Sequence, residues 1–179
     1  MSMRNTENRY GFIAILLHWG MAILLIGLLA LGLYMTRIPI SLEKLKLYGW
    51  HKEYGDLALM LVMVRLVWRL GSIIPSLSNE IPKWQVIAAH IVHWAFYVFM
   101  CALPISGWLI TSAAGLPVSF FGLFVLPNLI SPHPDLQPLF TEIHRWLSYA
   151  LIVTICAHVG AALKHHFINK DDILRRMLP

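Results

Sequence analysis

The chain has 179 residues, of which 58% are hydrophobic and 13% charged, with a mean hydropathy of +0.67 and a formal net charge of +5. Soluble domains are about a quarter charged, so this composition excludes an ordinary soluble fold and points to one membrane domain over residues 1–179. The positive charge is small and gathers at the ends of apolar stretches, which excludes a nucleic-acid binder and reads as membrane orientation.

The polar stretch Met1 to Tyr10 leads into residues 12–34, a predicted transmembrane helix whose one ionisable residue is His18. This run is too long for a signal peptide, and no small-residue cleavage site follows it before Arg37. Thr36 to Tyr48 reads as a connection. The second predicted span, residues 49–71, carries His51, Asp56, Arg65 and Arg69, and makes sense if these face a cofactor or partner inside a bundle. Ser72 to Lys83, with Pro75, Pro82, Ser78 and Asn79, is a loop. The third span, residues 84–110, holds His90 and His93, and Pro104 is expected to kink it. Thr111 to Phe140 is a long connection without Lys or Arg, whose apolar part, Leu116 to Leu126, is too short to span and is expected to lie on the membrane surface. The fourth span, residues 141–166, carries His144 and His158 and leads into a basic tail. Cys101 and Cys156 fall in apolar runs and read as packing residues.

Basic residues orient the bundle. The N-terminus, the second loop, the C-terminus and the adjoining helix ends hold Arg4, Arg9, Arg65, Arg69, Lys83, Lys164, Lys170, Arg175 and Arg176; the other side holds Arg37, Lys44, Lys46, Lys52 and Arg145. Both termini are therefore expected on the cytoplasmic side.

The histidines carry the functional signal. His144 and His158 are fourteen residues apart, which on an α-helix returns to within about 40° of the same face, about 21 Å further along. His18 lies at the depth of His158, and His51 at the depth of His144. Two level-matched pairs of imidazoles can each supply both axial ligands of a haem, so the four histidines are candidate iron ligands for two haems. A lone histidine in such a helix reads equally well as a hydrogen-bonded core residue, but four matched in depth do not. Zinc would need three or four ligands in one shell, and no CxxC or HExxH motif is present. Arg65 shares His51's face one haem spacing further in and is a candidate partner for an inner-haem propionate; Arg145 is a weaker candidate at the outer haem. His165, seven residues beyond His158, is placed to meet a ligand beside the inner haem, or to be an interfacial anchor. His90 and His93 stay open between ligand, hydrogen-bonding and packing roles.

The segments RYGFIAILLHWGMA, GWHKEYG, VRLVWRL, AAHIVHWAFYVFMCALPISGWL, SAAGLPVSFFGLF and EIHRWLSYALIVTICAHVGAALKHHFINKDDILRRML together resemble the bacterial cytochrome b561 family over essentially the whole chain. The resemblance implies an all-α, four-transmembrane-helix bundle in the bacterial inner membrane, holding two b-type haems with His18, His51, His144 and His158 at the ligand positions. It also implies electron transfer between the outer face and membrane quinone. One type in the family oxidises superoxide and reduces ubiquinone at a site near a position matching His165. Arg37, Lys44, Lys46 and Lys52 could steer a superoxide anion to the outer haem. Two further readings stand beside an oxidoreductase of that type. One is a haem-b anchor subunit for a partner dehydrogenase or hydrogenase, docking at the charge-free loop near Val118 to Leu126. The other is a metal-ion transporter using the intramembrane histidines.

Overall fold

The computed structural model describes residues 2–76 and 81–178. Four long helices make up most of it: α1 (Phe12–Met35), α2 (Leu42–Leu70), α3 (Lys83–Ala113) and α4 (Gln137–Lys164). They pack in chain order, α1 on α2, α2 on α3 and α3 on α4. Three stretches are long and apolar enough to cross a membrane: Phe12–Met35, Lys83–Ala113 and Pro134–Asn169. The charges of α2 keep it out of that set. The interior core is small, centred on Met21, Val62, Tyr97 and Met100, whereas Ile23, Ile91, Val98 and Val153 point outward and are 60% or more exposed. An apolar exterior around a small core is what a lipid solvent requires.

The helix bounds differ from the sequence reading where caps were overlooked. α2 begins at Leu42, inside the expected connection, because the Ser41 side chain accepts from Lys44 N at 3.1 Å and Glu43 stands in the first turn. α3 continues through Pro104 to Ala113. α4 starts at Gln137 after a short 3₁₀ turn at Pro134–Leu136, and beyond Lys164 it becomes a π-helical turn over His165–Asn169. Of the loop expected from Ser72 to Lys83, Ser78 and Asn79 lie outside the described residues.

The apolar loop after α3 is not a plain surface stretch. It forms an antiparallel hairpin of β1 (Val118–Phe120) and β2 (Phe124–Leu126). Its turn has Phe121 at φ 48° and Gly122 at φ 72°, both left-handed, which suits the twist of a tight hairpin. Phe121 meets Tyr54 of α2 edge-on, and Val118 is buried. The hairpin therefore packs against one end of the bundle.

At the opposite end three segments are tied together. Asn5 Nδ2 donates to Ile73 O (2.8 Å), Ser76 N to Glu7 O (3.2 Å), Arg176 Nη1 to Ser76 O (2.6 Å), Arg9 Nη2 to Leu178 O (3.1 Å) and Trp19 Nε1 to Met177 O (2.8 Å). The N-terminus, the start of the second loop and the C-terminal tail thus share one end, as the distribution of basic residues had paired them. Gly11 is required there: a Cβ would lie 2.4 Å from the Arg4 carbonyl carbon.

Candidate functional site

The four helices bring the histidines together in twos across the bundle. His18 of α1 faces His158 of α4 with ring centres 6.2 Å apart, and His51 of α2 faces His144 of α4 at 6.1 Å. Two imidazoles bound to one metal ion from opposite sides, with metal–nitrogen distances of ~2.1 Å and each ring centre ~1.1 Å behind its nitrogen, have centres about 6.4 Å apart. Both pairs match that span within a few tenths of an ångström. Among the described residues no group of three or more His, Cys, Asp or Glu side chains is placed to share a metal ion. Couples of imidazoles suit the two axial positions of a haem iron; a zinc shell needs more donors.

Local contacts orient these rings. Ser106 Oγ donates to Leu103 O (2.8 Å), which leaves its lone pairs free to accept. His144 Nδ1 lies 2.8 Å from that oxygen and 3.1 Å from Leu103 O, so it acts as a donor to both. A proton fixed on Nδ1 leaves the other ring nitrogen unprotonated, the form a metal needs. The Leu103 carbonyl thus accepts from both side chains. Facing His144, His51 has a buried Nδ1 without a hydrogen-bond partner, and its ring lies against Gly32 of α1. A Cβ at Gly32 would be 3.2 Å from His51 Cε1, tighter than nearly all such contacts. Gly107 similarly underlies His144, at 3.5 Å.

At the second level, Arg65 of α2 reaches His18, with Nη2 donating to Nδ1 at 3.1 Å and Nη1 to Leu17 O at 3.3 Å. Trp19 packs edge-on to His18, while Phe96 and His93 of α3 pack on His158 with ring centres 5.2 and 5.7 Å away. His93 therefore borders this pair. His90 is exposed and donates Nδ1 to Val86 O on its own helix. Arg145 makes an exposed ion pair with Glu142. His165, in the π-helical turn, holds Asp171 Oδ2 with Nδ1 at 2.5 Å; Asp171 Oδ1 accepts from Ile173 N, and Lys170 between them is left-handed at φ 56°.

Sequence reasoning named the four paired histidines, Arg65 and His165, but missed Ser106, Gly32 and Asp171. Ser106 could have been read as a small polar residue in the PISGWL stretch. Gly32 carried no signal in a helix already rich in glycine.

The chain matches the prokaryotic cytochrome b561 family over residues 9–179. It is 38% identical to cytochrome b561 homolog 2 of Escherichia coli (strain K12), covering 99% of this chain and 95% of that protein. It is 29% identical to cytochrome b561 homolog 1 of the same organism, covering 96% and 98%. Over 72% of this chain and 73% of the relative it is 33% identical to the probable superoxide oxidase CybB of Yersinia pestis. The chain belongs to the prokaryotic cytochrome b561 family, multi-pass haem b proteins of bacterial inner-membrane electron transport.

Proposed function

We propose that this chain is a single di-haem domain that carries electrons across the inner membrane to ubiquinone, with superoxide on the periplasmic side as the donor. The observation that carries the reading is the pair of imidazole couples that both use α4: His51 with His144 at one level and His18 with His158 at the other. In this reading α2 crosses the membrane beside α1, α3 and α4, both termini are cytoplasmic, and His51 and His144 hold the outer haem and His18 and His158 the inner one.

The haems supply reversible one-electron chemistry at iron. The residues do the rest. His51 with His144 and His18 with His158 would each hold an iron from two sides, which would favour outer-sphere electron transfer. The small residues Gly32 and Gly107 let the outer rings lie flush against neighbouring helices. Arg65 offers its guanidinium to an inner-haem propionate. The balance is two superoxide anions, one quinone and two protons giving two O₂ and one quinol. Lys44, whose Nζ donates to Ile38 O at 2.9 Å, together with Arg37, Lys46 and Lys52, attracts the anionic donor. His165, oriented by Asp171, meets the quinone headgroup at the inner level. The name of the Yersinia pestis relative supports the donor.

Reduced-minus-oxidised and pyridine haemochrome spectra of the purified protein test this, with His144→Ala and His158→Ala beside the wild type. The expected result is two haems b per chain, a different one disturbed in each variant. One haem, indifferent to His144, would overturn the two-level assignment, and a colourless protein would overturn the haem reading altogether.

A further inference from the structure

The two levels differ in what faces the second ring nitrogen of a ligand histidine. Around His144 Nδ1 the hydrogen-bond partners among the described residues are acceptors, Leu103 O and Ser106 Oγ. An imidazole that donates to oxygen is a more electron-rich ligand and stabilises the oxidised metal. Around His18 Nδ1 the structure places a guanidinium, and no carbonyl is hydrogen-bonded to that nitrogen among the described residues. Arginine has only donors. An imidazole ligating through Nε2 carries its proton on Nδ1, and it then faces Arg65 as donor against donor, with no gain in basicity. Arg65 remains anchored by Leu17 O, so its charge stays beside the ring in either arrangement.

No protein carboxylate offsets that charge among the described residues, which leaves the inner-haem propionate as its counter-ion. Among the described residues Arg65 makes no ion pair, whereas Arg145, adjacent to His144, is paired with Glu142. On α2, Lys52 stands between His51 and Glu53, and the buried Asp56 follows, so the outer level carries both signs. A further cation of α2, Arg69, lies over the Tyr97 ring at 5.7 Å. Reduction of a haem iron removes one positive charge, and a fixed cation nearby favours the reduced form in a low dielectric.

We propose that Arg65 holds the inner haem at a higher potential than the outer one, so that an electron crosses from the His51–His144 level to the His18–His158 level downhill. This rests on the two-haem reading and adds to it the residue that sets direction. Arg65 is in this role a positioning residue, acting on the iron through His18 and through its charge.

The test is a potentiometric titration of the haem-loaded protein, wild type beside R65Q and R65K, with the inner component identified as the one lost in H158A. The wild type is expected to show the inner component above the outer. R65Q should lower the inner component enough to change the equilibrium sharing of an electron between the haems at least tenfold, which is 59 mV for one electron, and leave the outer component in place. R65K, whose charge sits on a shorter, unforked head, should shift it the same way by less. If R65Q loses the inner haem, the R65K shift decides. An inner component unmoved in a variant holding both haems would overturn the proposal, as would both components falling together, or an inner component below the outer in the wild type. In each of those cases the two-haem reading stands, as it does if two haems per chain titrate as one component, which overturns the proposal alone; one haem per chain by pyridine haemochrome would overturn both.

Discussion

Gly32→Ala is a sharp probe of the outer site because it adds one methyl group at a place where the space can be measured. The new Cβ would lie 3.2 Å from His51 Cε1 and 3.8 Å from Nδ1. Carbon atoms rest at about 3.5–4.0 Å, so the ring must retreat by roughly half an ångström or α1 must move away from α2. Metal–ligand distances tolerate about 0.2 Å, and overpacking of this kind costs about 1–3 kcal/mol. At about 1.4 kcal/mol per tenfold, outer-haem retention should fall between several-fold and about a hundredfold. The inner haem should be untouched. The control is Gly20→Ala in the same helix, where nothing lies within 4 Å of the added Cβ. That variant should keep both haems and gain up to about 1 kcal/mol from better helix propensity. Haem-to-protein ratio, with electron paramagnetic resonance to resolve the two low-spin signals, reads both variants. An outer signal in Gly32→Ala that is unshifted and at full occupancy would refute the claim that His51 is held flush against α1 at the position the iron needs.

Ser106→Ala removes one of the two acceptors at His144 Nδ1 and leaves Leu103 O, so the outer haem should remain bound but be lost faster on heating, by about 1 kcal/mol; a heat-release curve of the Soret band, identical to wild type, would argue against the bond. Gly11→Ala places a Cβ 2.4–2.7 Å from the backbone of Arg4 and Met3, which should open the N-terminal hook and speed tryptic cleavage after Arg4 and Arg9 while the helices stay folded. Burial raises the Tyr10 phenol above its ordinary value, against opposing lowering by Arg69, Arg176 and Arg65. A raised folded pKa means a contribution present below the unfolded value near 10 and lost as pH climbs through the folded one. Phenolate absorbance should therefore show a late-titrating component that Tyr10→Phe removes.

The apolar runs of α1, α3 and α4 were legible because a bilayer demands about twenty apolar residues in a row. The histidine couples were legible because helical periodicity converts spacing into depth and face, and the structure brings together the residues that the count had matched. The start of α2 was not, since a charged, Lys-rich stretch reads as loop unless Ser41 is recognised as a cap. The hairpin after α3 escaped because three-residue strands have no period to detect. Arg65 was read as a residue on His51's face; its contact with His18 depends on how α1 and α2 cross, which no single helix encodes. The Asp171 partner of His165 needs a π-turn and a left-handed Lys170 to swing the tail back, and neither has a sequence signature strong enough to foresee.

Each imidazole couple takes one member from α4, which leaves the ribosome after α1, α2 and α3. A chain still being synthesised can display His18 and His51, yet neither has its opposite number until residues 144 and 158 have been made and inserted. In the two-haem reading proposed above, biogenesis would thereby be ordered: α4 must join α1 and α2 before either iron could be gripped from both sides.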